Sequence, residues 1–309
     1  MLINMRMIKI SVLSIFFSVC SQYSVAATGD LTADQIVLEA YRHTHWLRVD
    51  KLATQKTGRK VATLINRGRG GRVTINTFDN YVNSDFDDPS IETKTLAIFQ
   101  SGKQRGLGLL MTSYTAMEKP PSILIWLPEL RKVRRFLAPA HDDAWAGSVM
   151  TFGEVFLRRP EHEKHELLGR ENIDYCLAMM SVNEHKKLSR LTLPVSDCSF
   201  KGREVYQLKS TTKFKNWWYD YHISDIDSEN YLPYKTVYFK NHQPVKTIWI
   251  AWKHGGRDAS LVHYPYYIFG RVDATKFESL FYVPEETVRW NVDLPDRFWS
   301  ERTLRKIKR

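Results

Sequence analysis

The sequence predicts a mainly β protein with a few helices (α+β), built on one large antiparallel sheet or open barrel. Three observations carry that expectation. Short segments with period-two texture recur at near-regular spacing from about Lys60 to Val272, joined by Gly, Pro, Asn and Asp. Several of these segments are apolar on both sides, so neither face of the sheet can lie open to water. One capped amphipathic segment precedes them, a helix suited to packing on the sheet.

The chain begins with an export pattern. Arg6 and Lys9 precede residues 10–19, which are apolar apart from Ser11, Ser14 and Ser18. Ser24-Val25-Ala26 then sets small residues where a signal peptidase reads. The run is too short for a stable membrane span. Residues 1–26 therefore read as a signal peptide cleaved after Ala26, residues 27–309 as a single domain, and the compartment as the periplasm. An uncleaved anchor is the alternative. Cys20 would suit a lipoprotein, but the branched Val19 stands before it where a small residue is expected. No later stretch runs long enough without charge to cross a bilayer as a helix. An outer-membrane barrel would cross with strands, yet this chain ends Leu304-Arg305-Lys306-Ile307-Lys308-Arg309, not on an aromatic girdle strand.

Removing the leader leaves about 283 residues, enough for one large β domain with a substantial core. The formal charge falls from +11 to +9 with the loss of Arg6 and Lys9. A basic exported protein meets anionic lipid headgroups or acidic protein surfaces, and not nucleic acid. Cys176 and Cys198 remain, an even pair that reads as a disulfide in an oxidising compartment; two buried thiols satisfy the same sequence.

Each element follows in order. Thr32 and Gln35 form a capping box, and Ile36, Val37, Ala40 and Tyr41 make an apolar stripe that predicts a helix ending near His45. Val73, Ile75 and Thr77 alternate with Arg72, Thr74 and Asn76 after the turn-rich Arg67-Gly68-Arg69-Gly70-Gly71, a hairpin signal. Further strands are expected at residues 92–100, 106–113, 122–127 and 132–137. A second group is expected at 173–182, 204–213, 217–223, 234–240, 245–252 and 266–272. In 245–252, Val245 and Trp249 share one side, while Ile248, Ile250 and Trp252 share the other. Residues 138–166 between the groups look irregular. A short helix over 151–157, with Phe152, Val155 and Phe156 on one side, would lie against the sheet as a lid or plug.

Few residues suggest reaction chemistry. His162-Glu163-Lys164-His165-Glu166 is rich in ligands, but its histidines are three apart, not four, and follow Pro160, which favours a solvated loop over a metal site. Gly147-Ser148-Val149-Met150 lacks the flanks of a nucleophile elbow, and His141-Asp142-Asp143 is a common loop cluster. The expectation is a protein without catalysis, metal or cofactor. Arg131-Lys132-Val133-Arg134-Arg135 is the densest basic run. On a strand, Arg131, Val133 and Arg135 would share a face, suited to phosphate or headgroup contact or else to a solvated edge. Aromatics make up 13% of the chain, a supply suited to walling apolar pockets or to packing a core.

The stretch Leu124-Ile125-Trp126-Leu127-Pro128-Glu129-Leu130-Arg131-Lys132-Val133-Arg134-Arg135 resembles a signature of the LolA-like family, the outer membrane lipoprotein-sorting proteins. Trp145-Ala146-Gly147-Ser148-Val149-Met150 resembles the small-residue segment that follows it in the family, whereas Gly153 and Val155 depart from the usual polar or acidic choices. Leu167-Leu168-Gly169, Lys215-Asn216-Trp217-Trp218-Tyr219-Asp220, Tyr231-Leu232-Pro233-Tyr234-Lys235 and Trp299-Ser300-Glu301-Arg302-Thr303-Leu304 extend the resemblance diffusely. It implies an incomplete, strongly curved antiparallel β-barrel covered by a few helices (LolA/LolB-like), whose apolar inner face takes the acyl chains of a lipid or lipoprotein without catalysis. It also implies an inner-membrane transporter and an outer-membrane acceptor as partners of a monomeric carrier. Leu124, Trp126, Met150, Phe152, Phe156, Trp249 and Trp252 are the candidate cavity walls, being bulky and on the plug or on doubly apolar strands. Arg131, Arg134 and Arg135 are the candidates for headgroup or partner contact. A non-carrier adaptor of the envelope, associated with a transporter, is the competing class.

Overall fold

Thr32 opens the first helix, α1 (Ala33–Thr44), with the expected capping box: its hydroxyl accepts from the Gln35 backbone N–H, and the Gln35 side chain accepts from the Thr32 N–H. The computed structural model describes residues 31–116, 118–136, 139–181, 188, 191–255 and 262–307. The leader expected over 1–26 lies outside them.

After α1 come β1 (Lys51–Thr54), β2 (Ala62–Arg67), β3 (Val73–Asn83), β4 (Ile91–Phe99), β5 (Gly108–Tyr114), β6 (Ser122–Leu127) and β7 (Lys132–Phe136). A second series follows: β8 (Glu163–Asn172), β9 (Glu204–Thr212), β10 (Tyr221–Asp227), β11 (Pro233–Lys240), β12 (Gln243–His254), β13 (His263–Val272), β14 (Phe277–Tyr282) and β15 (Val288–Trp290). A short helix, α2 (Glu301–Arg305), comes near the end.

All of these strands join one open antiparallel sheet of 15 strands, in the order β7-β6-β5-β4-β3-β2-β14-β13-β12-β11-β10-β9-β8. Two meanders, β2 to β7 and β8 to β14, meet where β14 pairs with β2, in a register that sets Leu280 opposite Ile65. β1 and β15 extend that seam, Leu52 facing Trp290, while β1 also pairs with the far half of β3. The chain leaves the sheet after β7 and re-enters at the opposite edge as β8. Residues 139–162 therefore have to cross the sheet between its two edges.

The doubly apolar strands are explained by three layers of cover. On the concave side, Leu64, Phe78, Tyr238 and Ile248 pack with Val149 and Met150 of the crossing segment. On the other side of the β2–β14 seam, Ile65, Tyr267, Phe269 and Leu280 pack under the connection between β8 and β9, through Ile173, Leu177 and Met180. Cys176 and Cys198 are joined by a disulfide within that connection. Over β3 to β6 the same convex side is covered by the C-terminal segment, where Trp299 and Leu304 sit on Tyr81, Leu96, Leu110 and Trp126.

Four sequence expectations change. Residues 173–181 are not a strand but the disulfide-tied cover, and the last residue of the expected segment, Val182, lies outside the described residues. Ile173, Leu177 and Met180 are spaced by four and three, which suits a segment laid on a surface and not period-two pairing. The irregular stretch ends earlier than expected, because β8 starts at Glu163. β10 starts at Tyr221, since Asn216 at φ 53° turns the chain just before Trp217. The lid helix reduces to one wide turn, Gly153–Leu157, closed by the Arg158 N–H on the Gly153 carbonyl at 2.8 Å.

Candidate functional site

The concave face, α1 and the crossing segment enclose a cavity of about 220 Å³. That is many times the room one water needs and just under the usual range of small-molecule pockets. Its apolar wall comes from Phe78, Leu208, Ile226, Ile248, Ile250, Trp252, Ile268 and Phe281 on the sheet. Val37, Ala40 and Tyr41 of α1 and Met150, Val155 and Phe156 of the lid complete it.

The lid is pinned at its tip. The Val149 N–H donates to Ser279 Oγ at 2.9 Å, and Lys246 Nζ donates to the Val149 carbonyl at 3.2 Å. The Val149 side chain packs over Gly270, where a Cβ would come within 2.4 Å of Val149 Cγ2. At its other end Arg159 donates to the Tyr114 carbonyl on β5 and lies 3.3 Å from Glu92 on β4. Tyr41 of α1 donates to the same Glu92 carboxylate at 3.3 Å. The lid, the helix and the first meander are thereby tied together.

Charged groups stand where lid and sheet meet. Lys246 Nζ and Glu154 Oε1 are 2.6 Å apart, both almost fully buried. Glu163, 5% exposed, accepts from Tyr219 at 2.8 Å and His222 at 3.1 Å, with Arg158 at 3.8 Å. Burial alone would raise the Glu163 carboxyl, but His222 and Arg158 outweigh it and hold the group well below the usual carboxylate range. Glu154 is likewise held low against its burial, by Lys246 and Arg158. Burial lowers His222 further than Glu163 raises it, so a neutral imidazole donates to the carboxylate. Two cations thus match two carboxylates, and the cavity margin carries no net charge to oppose an apolar occupant.

His45, at the C-terminal end of α1, also lines the cavity. Its Nδ1 lies 3.1 Å from Thr44 Oγ1, whereas its Nε2 is shut from solvent with no hydrogen-bond partner. Burial, with Arg158 adding to it, brings the imidazole down to about 3.

No family model and no curated protein matches the chain. Solved structures do. A domain from Vibrio parahaemolyticus, described as that of an outer membrane lipoprotein-sorting protein, superposes with a TM-score of 0.64 at 14% identity, over 89% of this chain and 98% of that one. The fold is LolA-like. A DUF1329 family protein from Desulfovibrio piger matches equally well, with a TM-score of 0.64 at 16% identity over 88% of this chain and 99% of that one. A LolA superfamily protein from Nitrosomonas europaea gives 0.54 at 12% identity over 88% and 99%.

Within this LolA-like sheet the candidate walls divide. Met150, Phe156 and Trp252 face the cavity. Leu124 and Trp126 do not: they lie on the convex side under Trp299 and Leu304. Trp249 is also on the convex side, stacked on Phe269 at 5.5 Å. These three are corrections, and their cause is common. Alternation groups residues by face without saying which face is concave. Phe152 is half-buried and outside the lining. Arg134 and Arg135 are exposed on β7, a sheet edge, with Arg135 donating to Ser122 at 3.1 Å. Arg131 departs from its expected strand position, sitting in the preceding turn at φ 48°.

Sequence reasoning missed the charged margin. Glu163 and His165 read as a solvated loop because Lys164 and Glu166 beside them mask a strand with one buried face. A signal was available for Lys246, a lone charge in phase with Ile248, Ile250 and Trp252. His45 continues the Val37–Tyr41 spacing by one more helical step.

Proposed function

We propose that this chain is an exported carrier that shields the acyl chains of a lipid or lipoprotein in the concave cavity, between inner and outer membrane. The observation that carries the reading is an apolar cavity between a LolA-like sheet and two pieces of cover, α1 and the lid. Burying an acyl chain is worth about 0.8 kcal/mol per methylene, so a cavity of this kind can outweigh the contacts that hold the lid. The cavity is small for a whole acyl chain, and loading on this reading requires Val149 to lift from Gly270. No catalytic step is part of this reading.

The test is native mass spectrometry of protein taken from a periplasmic fraction without detergent, followed by solvent extraction. A stoichiometric lipid or acylated peptide is the expected result. An empty protein that also refuses added fluorescent fatty acids would sink the carrier and favour a transporter-associated adaptor. Arg134 and Arg135 on the exposed edge are proposed to meet anionic headgroups. Unchanged binding of the Arg134→Ala/Arg135→Ala variant to anionic vesicles would remove that part alone.

A further inference from the structure

The concave face holds a second hollow, lined by no residue of the lid, to which the carrier reading gives no role. It lies between two hairpin tips, residues 100–107 joining β4 to β5 and 128–131 joining β6 to β7, and measures about 920 Å³. That is within the usual range of small-molecule pockets. Leu107 and Leu127 form its floor. Gly108 and Trp126 are cross-strand partners on the convex side, where Trp126 packs with Leu304. Alternation therefore turns their neighbours Leu107 and Leu127 to the concave side. Both are half-buried, and Leu130, in the second tip, is 56% exposed.

The rim of this hollow is cationic. Lys103 and Arg105 stand on the first tip, Arg131 and Lys132 at the end of the second, all four exposed. Lys132 pairs with Leu127 across the strands, so it shares the concave side. The lining contains one carboxylate, Glu129, which has an interaction of its own. Four cations against one acid leave a surplus of positive charge beside an apolar floor. Both walls are preformed. Gly102, at φ 78°, lies against β3, where a Cβ would fall 2.5 Å from the Ile75 carbonyl oxygen. The Thr77 and Ser101 hydroxyls lie 2.7 Å apart at the same tip. In the other turn the Leu130 N–H donates to the Leu127 carbonyl at 3.2 Å. A site that needs no reordering loses less on binding.

We propose that this hollow binds a single anionic amphiphile, its alkyl chain on Leu107, Leu127 and Leu130 and its anionic head on Lys103 and Arg105. A cationic or uncharged head would gain nothing from that rim, which fixes the sign of the ligand. The floor is recessed between the tips, which fits the chain of one molecule. A bilayer surface would need the leucines to project, and of the three only Leu130 is exposed. The site is distinct from the lidded cavity and stands whether or not that cavity carries acyl chains.

Calorimetric titration with dodecyl phosphate, kept below the concentration at which it forms micelles, tests it. Dodecyl phosphate should bind about tenfold more tightly than dodecanol, the sum expected of two exposed charge contacts, and dodecyltrimethylammonium no better than the alcohol. Lys103→Gln/Arg105→Gln should erase that advantage, and Leu130→Ser should weaken phosphate and alcohol alike. Backbone amide shifts on binding should cluster at residues 102–107 and 127–132. Affinity unchanged in the double variant, or shifts confined to α1 and 148–157, would overturn this site and leave the carrier reading standing. Shifts at the two tips with none at 148–157 would support this site without any help from the lidded cavity. No binding of dodecyl phosphate would overturn it, and co-sedimentation with anionic vesicles that depends on Lys103 and Arg105 would then assign the rim to a bilayer surface.

Discussion

Lys246 and Glu154 show what a single buried charge does here. Each is desolvated, and each is tolerable only because the other lies 2.6 Å away. The Lys246 ammonium also rests 3.9 Å over the Trp218 ring, a cation–π contact that adds to its support. Removing one partner strands the other in an apolar setting, and such breaks cost about 3 kcal/mol or more. Glu154→Gln should therefore destabilise the protein by about 3 kcal/mol in urea unfolding. The double variant Glu154→Gln/Lys246→Met should recover most of the loss, because no charge is left unpaired. If the double variant is as unstable as the sum of the singles, the pair is not coupled. This chemistry was half legible. A lysine in phase with three apolar residues marks a buried cation, but nothing local to Lys246 names Glu154, which lies far away in sequence on an irregular segment.

At the scale of elements, strand positions were easier to read than strand faces. β6 occupies the expected residues 122–127, since its apolar run is bounded by Pro121 and Pro128. Its alternation groups Leu124 with Trp126 correctly, but the choice of concave or convex depends on the C-terminal segment that folds over them, far off in sequence. The disulfide shows the same limit: Cys176 and Cys198 tie a cover whose apolar residues mimic a strand. Their separation of 22 residues corresponds to about 3 kcal/mol of loop-closure entropy. Cys198→Ser should lower stability by about that amount, with unfolding of the wild type shifting likewise under reducing agent. A reduced protein as stable as the oxidised one would mean that the hydrophobic contacts of Leu177 and Met180 hold the cover unaided. The lid invites a separate prediction. Gly270→Val places methyls where Val149 packs, so hydrogen exchange at 148–157 should quicken while the disulfide-tied cover keeps its protection. Unchanged exchange there would show that Ser279 and Lys246 alone pin the tip.

For the whole molecule the buried histidines predict how stability follows pH. His43 in α1, His45 at its C-cap and His141 at the start of the lid are all lowered chiefly by burial, from the ordinary 6.5 to about 4, about 3 and about 4. Between those values and 6.5 the unfolded chain binds protons that the folded chain refuses, so stability rises with pH in that window and falls on acidification. At pH 5 the His45 contribution alone is about 2 kcal/mol. Glu154 and Glu163 act in the same direction but lower: their depressed carboxyls keep contributing until the pH drops below the usual carboxylate range. The melting temperature should therefore decline between pH 7 and pH 5, before the carboxylates titrate, and the His45→Phe variant should decline less steeply over that interval. The positions of the three histidines locate the loss as well. They sit in α1 and the lid, the two pieces that close the cavity, so hydrogen exchange at pH 5 should accelerate there before it does in β9 to β13. A melting temperature flat from pH 7 to pH 5 would mean that these imidazoles reach water more freely than their packing implies, and α1 and the lid would then be open to solvent at neutral pH.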